Sequence, residues 1–134
     1  MPNTFIHPEG ILPDVVHGYT SVVVSTGKKM VHCAGQVPMD ADLNLVGETL
    51  GEQMDQSFKA IGVALAAGGA TPADVVRGRI YIVDYNADMV QTVIEKTAAF
   101  YAPGEPPPST LIGVQSLALP GIMVEIEATA VLDD

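Results

Sequence analysis

Two glutamates near the C-terminus are the first residues whose type and spacing could do chemistry. Glu125 and Glu127 stand two positions apart in the run 122–132, whose alternating apolar residues predict a strand. Side chains two apart share one face of a strand, so the two carboxylates repel each other unless they are paired or solvated. One interpretation is a salt bridge with Arg77 or Arg79 on the sheet face. The other is a carboxylate at a subunit interface, where burial raises its pKa towards the range of acid–base catalysis.

The cysteine and the histidines do not have the spacing of a nucleophilic or metal site. Cys33 follows His32 on a predicted strand, and neighbours on a strand point to opposite faces. The two cannot form a nucleophilic pair, and we expect Cys33 to be a buried, unreactive thiol. His7 and His17 lie in an N-terminal segment, residues 1–18, that its prolines predict to be irregular or extended. Since no His, Cys, Asp and Glu spacing is typical of zinc, we expect no metal.

Glycines mark two places where a ligand or another chain could approach the backbone. Gly35 and Gln36 end one predicted strand, and Gly113 interrupts another. Such glycines permit close approach or mark a bulge, and both interpretations stand. Neither belongs to a Walker sequence or to a G-x-G-x-x-G after a strand, so nucleotide binding is not predicted.

The elements that must position these residues follow from periodicity and turn signals. Strands are predicted over 20–25, 29–34, 76–83, 110–116 and 122–132, the first two forming a hairpin. A first helix begins at the capping box Thr49–Glu52 and ends at Gly68, and a second covers 88–101. Prolines make 102–108 an extended loop. The order β-β-α-β-α-β-β predicts one α+β domain over 1–134, a mixed sheet with both helices on one face.

The other face of that sheet has no helix to cover it. It carries Tyr81 and Met123 among β-branched residues. We expect another subunit to bury this face, most simply in a closed ring of like subunits.

Charge and composition exclude several classes of function. The 134 residues include 16 acids and 6 bases, a net charge of −10. Phosphate backbones and anionic membranes are bound by Lys and Arg, so neither nucleic acid nor a membrane surface is an expected partner. We see neither a signal peptide nor an apolar run of membrane-spanning length, and a single cysteine fits a reducing compartment. The cytoplasm is therefore the default location.

Three stretches, in this order and spacing, resemble the RidA/YjgF family of reactive intermediate deaminases. They are 31–40 (VHCAGQVPMD), 68–84 (from GGATPADVV to IYIVD), and 120–128 (PG, then VEIEA). The resemblance covers roughly residues 14–132. It implies a chorismate-mutase-like fold of the bacillus type and a homotrimer with clefts between subunits. It also implies hydrolysis of reactive enamines or imines to ketoacids and ammonia, without metal or organic cofactor.

Some positions of this chain match the family's site residues, and others depart from them. Tyr19, the turn Ala34-Gly35-Gln36 and Glu125 match the family, with Glu125 and Tyr19 as the implied catalytic residues. Where deaminating members have an arginine that holds the substrate carboxylate, this chain has Ser109, and no basic residue follows Lys96. The family's helix asparagine matches Ile94. The remaining implied substrate-binding residues are Ser109, Thr110 and Leu111.

Two functions follow from this comparison. The first is a Rid-like hydrolase or deaminase whose substrate lacks an α-carboxylate, with Arg79 as a candidate replacement anchor. The second is a non-catalytic binder or regulator of small molecules on the same trimer. A ribonuclease or translation inhibitor, as the family has also been labelled, fits the acidic chain least.

Overall fold

The computed structural model describes residues 3–134 and confirms the predicted α+β architecture. Its strands are β1 Asn3–Ile6, β2 Val22–Ser25, β3 Lys29–Gln36, β4 Val75–Val83, β5 Ser109–Val114 and β6 Val124–Leu132. Its two helices are α1 Leu50–Ala67 and α2 Val90–Tyr101. The main sheet has the order β3-β6-β4-β5, in which β4 and β5 are parallel and the other pairs antiparallel. The strands β1 and β2 form a separate antiparallel pair.

The first helix begins and ends where its sequence predicts. The backbone N–H of Glu52 donates to Oγ1 of Thr49 at 3.2 Å, and Glu52 Oε1 accepts from the backbone N–H of Thr49 at 3.2 Å. The helix stops at Gly68, and Gly69 follows in the left-handed region at φ +82°. Neither α1 nor α2 is long and apolar enough to cross a membrane. The buried face of α1 packs on the sheet and forms the core with it.

The two central strands sort their side chains by face, as the alternation predicts. Ile80, Ile82, Val124 and Ile126 are buried on the face that the helices cover. We call the opposite side the helix-free face, and it carries Arg77, Arg79 and Tyr81 from β4 with Glu125, Glu127 and Thr129 from β6. These two strands therefore separate a buried apolar side from a side that carries polar and charged groups.

The predicted hairpin between β2 and β3 is wrong. β2 pairs with β1, which lies in the segment expected to be irregular or extended, and β3 pairs with β6. The physical reason lies at Gly27, which packs so closely on the end of β6 that a Cβ there would overlap Val131 and Leu132. The backbone N–H of Lys28 then donates to the carbonyl of Leu132 at 2.9 Å. The chain therefore begins to pair with the end of β6 directly after Gly27, so β3 forms its hydrogen bonds with β6 and not with β2.

The last strand starts two residues later than predicted, because a buried side chain forms hydrogen bonds with the backbone groups at the start of the predicted strand. Gln53 of α1 donates from Nε2 to the carbonyl of Gly121 at 2.9 Å, and its Oε1 accepts from the N–H of Met123 at 2.7 Å. These groups bond to a helix side chain, so β6 begins at Val124. The other strand and helix ends lie within two residues of their predicted positions.

Candidate functional site

A pocket of about 190 Å³ opens between α2, the edge strand β5 and residues 12–19. Four of the residues expected at the site line it: Tyr19, Ile94, Ser109 and Leu111. Ile80 of β4 forms its floor, so the pocket lies on the helix-covered side of the sheet. The structure therefore brings these four residues together, although they come from three separate parts of the chain.

The pocket is lined mainly by apolar side chains. Its apolar wall is formed by Leu12, Ile80, Val90, Val93, Ile94 and Leu111. Its polar side chains are His17, Tyr19, Thr97 and Ser109. Among residues 3–134, no lysine, arginine or carboxylate contributes to this lining. The pocket can thus hold a small molecule by apolar contact and hydrogen bonds, and His17 carries the only ionisable nitrogen that the described residues place in its lining.

The position expected for the family's arginine lies in the wall of this pocket. Ser109 is half-buried, and its Oγ donates to the carbonyl of Pro107 at 3.3 Å. Gly78 of β4 lies directly beneath the Ser109 side chain. A Cβ atom on Gly78 would be 3.1 Å from Ser109 Oγ. A small residue at 109 therefore keeps the pocket open beside the sheet.

The sequence interpretation missed Thr97. Its side chain lines the pocket and is 2% exposed, and within the described part of the chain its hydroxyl has no hydrogen-bond partner. Thr97 lies one turn after Val93 and one turn before Tyr101 on the buried face of α2. A polar residue inside an apolar helix stripe was the signal that could have identified it.

A buried carboxylate holds the segment that forms one side of the pocket. Asp14 accepts from the N–H groups of Val15 and Ser21, both at 2.7 Å, and from Nδ1 of His7 at 3.0 Å. Burial opposes the ionisation of Asp14, but these hydrogen bonds together outweigh it and hold its pKa well below the usual range. The other ring nitrogen of His7 lies 2.9 Å from Glu105 Oε2. His7 therefore ties residues 12–21 to the proline-rich loop.

The His7 bridge should make thermal stability depend on pH. Hydrogen bonds to Asp14 and Glu105 raise the pKa of His7 above the ordinary histidine value of about 6.5. Since the folded pKa lies above the unfolded one, the bridge contributes fully below about pH 6.5 and is lost as pH rises through the folded value. We expect His7→Gln to lower the Tm more at about pH 5.5 than at about pH 8.5. Thermal unfolding against the exposed control His32→Gln checks this, and equal losses at both pH values would contradict it.

On the helix-free face, one of the two glutamates is paired. Glu127 Oε1 accepts from the Tyr81 hydroxyl at 2.5 Å, and its Oε2 lies 3.6 Å from Nη1 of Arg79. The hydrogen bond to Glu127, with burial, raises the pKa of Tyr81. The salt-bridge interpretation therefore applies to Glu127, and Arg79 lies on the face opposite to the pocket.

The other glutamate lies against the backbone of β3. Glu125 is half-buried, and a Cβ on Gly35 would overlap its carboxylate. Among the described residues, its side chain makes neither a hydrogen bond nor an ion pair. The pairing of β3 with β6 shifts between Cys33 and Gln36, so Gly35 lies in a strand irregularity as well as beneath a carboxylate. Glu125 thus keeps a free carboxylate on the helix-free face.

The remaining expected site residues also lie away from the pocket. The side chain of Thr110 points to the opposite side of β5 from those of Ser109 and Leu111. On the helix-free face, its Oγ1 accepts a hydrogen bond from Nη2 of Arg77 at 3.4 Å. Ala34 is exposed, and its carbonyl accepts from Nε2 of Gln36 at 3.1 Å. Within one chain, the expected site residues therefore divide between the two sides of the sheet.

Cys33 lies outside both groups. It is free, 8% exposed and part of the core, and burial raises its pKa. The neighbouring His32 is exposed. This is the placement that strand alternation predicts, and it leaves the thiol unreactive.

Solved structures share this fold. A Rid-family protein of unknown function from Yersinia pestis, YyfB, is 39% identical with a TM-score of 0.95, over 98% of this chain and 100% of that one. A member of the YjgF/YER057c/UK114 family from Mycobacterium tuberculosis is 31% identical with a TM-score of 0.65, over 97% and 99% of the two chains. A putative endoribonuclease from Thermotoga maritima is 27% identical with a TM-score of 0.70, over 91% and 92%. No curated protein matches this sequence.

The family assignment rests on most of the chain. The family model described as Endoribonuclease L-PSP matches residues 11–132. This range includes the pocket, both glutamates and all seven helices and strands from β2 to β6. Together with the likeness to YyfB, it shows that the chain belongs to the Rid/YjgF family, whose model bears the endoribonuclease L-PSP name.

Proposed function

We propose that this protein is a cofactor-free hydrolase of enamines or imines that works in clefts between the subunits of a homotrimer. One observation carries the proposal. Tyr19 and Ser109 line a pocket on one side of the sheet, whereas Gly35 and Glu125 lie on the other. These residues can meet only if the helix-free face of one subunit packs beside the pocket of the next. A closed ring repeats that contact identically and buries the face.

The free carboxylate has the properties that imine hydrolysis needs. Water adds to the carbon of the C=N bond, the nitrogen takes up a proton, and the carbinolamine then breaks its C–N bond to release ammonia and leave a ketone. Glu125, which has no partner among residues 3–134, orients the water and accepts its proton. Tyr19 closes the cleft over the substrate. Thr110 and the backbone at Gly35 donate hydrogen bonds to the substrate, and Ser109 of the adjoining subunit accepts one, because its own proton is donated to the carbonyl of Pro107.

The substrate is an imine or enamine without an α-carboxylate. The pocket of one chain offers Ser109 where a carboxylate-binding guanidinium would lie, and among residues 3–134 neither an arginine nor a lysine lines it. Arg79 does not supply the anchor within the same subunit, because it faces the other way and pairs with Glu127. A carboxylate taken into an apolar wall without a cation would lose its hydration uncompensated.

A non-catalytic binder or regulator is the second candidate, and the apolar lining supports it. Such a lining suits retention of a ligand as well as its conversion. The endoribonuclease in the family's name is disfavoured here because a chain of net charge −10 repels a phosphate backbone.

An imine-hydrolysis assay on the assembled protein tests the proposal. Light scattering should first give about three chain masses, since a ring of three subunits is what brings the residues together. The imine that an amine oxidase forms from 2-aminobutane should then release ammonia faster with the protein than without it. The imine of pyruvate, formed by an amino-acid oxidase, should show little acceleration. A monomer would contradict the site, and a trimer that accelerates neither imine would favour the non-catalytic candidate.

A further inference from the structure

The ring of His17 has one nitrogen committed to the protein and one left open. Its Nδ1 lies 2.5 Å from the carbonyl oxygen of Pro13, and among residues 3–134 this is the only hydrogen bond that the ring makes. A carbonyl oxygen can only accept, so Nδ1 carries a proton and donates it. Since a neutral imidazole holds one ring proton, Nε2 of the neutral ring is the bare, basic nitrogen.

The open nitrogen lies on the edge of the ring that is turned towards the pocket. His17 lines the pocket, whereas Pro13 is not among the described residues that do so. The two ring nitrogens point in nearly opposite directions, so the edge bonded to Pro13 points away from the cavity and the edge with Nε2 points towards it. His17 is also exposed. A small molecule that fills the pocket can therefore reach Nε2.

The turn that carries His17 is held in place by its backbone. The N–H of His17 donates to the carbonyl of Asp14 at 2.9 Å. The N–H of Gly18 donates to the carbonyl of Val15 at 3.1 Å. Gly18 has a left-handed φ of +84°, and a Cβ on it would be 3.2 Å from Cα of Ile94, so the turn packs directly on α2. His17 is thus fixed beside the pocket before a ligand binds, as acid–base catalysis requires.

The proposed hydrolysis still needs a group that exchanges protons on the side of the cleft opposite to Glu125. Glu125 accepts a proton from the attacking water, but the imine nitrogen must gain a proton in the same step. When the C–N bond later breaks, the hydroxyl of the carbinolamine must lose one. Histidine is the side chain that most readily both gives and takes a proton near neutral pH.

We propose that His17 is a second catalytic residue of this site, whose Nε2 contacts the substrate nitrogen and exchanges protons with it and with the carbinolamine oxygen. This role rests on the proposed function, since it adds a residue to the same reaction. His17 acts from the pocket of one subunit, and Glu125 of the adjoining subunit acts from the other side of the reacting carbon.

The protons balance over two steps. Water adds to the carbon of the C=N bond, Glu125 takes one of its protons, and the protonated Nε2 of His17 gives its proton to the nitrogen. The carbinolamine results, with Glu125 protonated and Nε2 bare. Glu125 then gives its proton to the nitrogen, the electron pair of the C–N bond leaves with ammonia, and Nε2 takes the hydroxyl proton as the C=O bond forms. Both residues return to their starting states.

Two substitutions separate the roles of the two ring nitrogens. The amide of asparagine reaches the position of Nδ1, so His17→Asn can keep the hydrogen bond to Pro13 and lacks a group at Nε2. The amide of glutamine reaches the position of Nε2, so His17→Gln can hydrogen-bond to a ligand there without transferring a proton. We expect each variant to lower kcat for the imine of 2-aminobutane about a hundredfold or more. The KM should change little in His17→Gln.

Chemical rescue distinguishes catalysis from folding. Imidazole added to the assembled His17→Asn variant should restore part of its kcat, because it supplies the missing proton-exchanging group from solution. The matched control His32→Asn removes an exposed histidine outside the pocket lining, and its kcat should stay within a few-fold of the parent protein. Unchanged kcat in His17→Asn, or a loss that imidazole does not reverse, would overturn the catalytic role of His17.

A binding measurement tests the contact without turnover. Butanone oxime is an unreactive analogue of the same imine, and its hydroxyl can donate to a bare Nε2. In NMR spectra of the assembled protein with isotope-labelled histidine, the oxime should shift the Nε2 resonance of His17 and leave those of His7 and His32 in place. His17→Asn should weaken oxime binding about fivefold, and His17→Gln should retain most of it. An unshifted Nε2 resonance with bound oxime would overturn the contact.

The outcomes distinguish this inference from the proposed function. If the parent protein hydrolyses the imine and His17→Asn does so equally well, the hydrolase proposal stands and the role of His17 is overturned. If the parent protein hydrolyses no imine but the oxime shifts Nε2, the hydrolase proposal and the proton transfer fail, and the contact of His17 with the ligand stands. Neither hydrolysis nor a shift would overturn both proposals.

Discussion

Replacing Glu125 with glutamine is expected to lower the rate of imine hydrolysis about a hundredfold or more. General base catalysis by a positioned side chain contributes typically 10²–10⁴-fold, and the amide keeps the shape of the carboxylate while losing its ability to accept a proton. Glu125 makes no ion pair among the described residues, so the substitution breaks none. The kcat of the trimer, with its mass checked by light scattering, measures the effect.

The matched control lies two residues further along the same strand. Glu127→Gln removes an equal charge from the same face, but from a carboxylate bonded to Arg79 and Tyr81. We expect its kcat to stay within a few-fold of the parent protein. Equal losses in both variants would show that the face acts through its total charge, and no loss in Glu125→Gln would refute the role of Glu125 as the base.

Replacing Ser109 with arginine is expected to raise the affinity for pyruvate ten- to a hundredfold. Ser109 is half-buried at the end of the proline-rich loop and lines the pocket, so a longer side chain can extend towards its opening. One guanidinium–carboxylate contact contributes about 1.5–3 kcal/mol, which corresponds to that change in Kd. Calorimetric titration with pyruvate measures it, and the preference of the pocket should then change from neutral to anionic ligands.

A second variant tests whether the introduced arginine forms an ion pair with Glu125. In the assembled ring, the new arginine could bond to Glu125 and fill the cleft, which would hide the gain in affinity. Combining Ser109→Arg with Glu125→Gln removes that competitor. A gain in the double variant alone would therefore identify the internal pair, and no gain in either would show that position 109 does not face the bound carboxylate.

Several features of the fold could be predicted from local sequence. Thr49 and Glu52 form the capping box that their spacing predicts, because both partners lie within one turn of the helix. The alternation in β4 and β6 placed Ile80 and Ile126 in the core and Glu125 outside it, because the period of a strand is two residues wherever the strand lies. The same rule places Cys33 and His32 on opposite sides of β3.

Strand partners and buried polar groups depend on residues that are distant in the sequence, so only the tertiary structure shows them. The partner of β2 is β1 because Gly27 packs against Leu132, more than a hundred positions away, and no local pattern encodes that contact. Thr97 stands out locally as a polar residue in an apolar helix stripe, but only the packing of α2 on the sheet buries its hydroxyl without a partner among the described residues.

The family motifs in the sequence indicated which residue types form the candidate site. The sheet decided that Ser109 and Glu125 lie on opposite sides of it, since strand pairing assigns each side chain to a face. By itself, therefore, the sequence determined the elements and the chemistry available. Only the three-dimensional arrangement showed that the two groups of residues cannot meet within one chain, because a single sheet cannot turn both of its faces to one ligand.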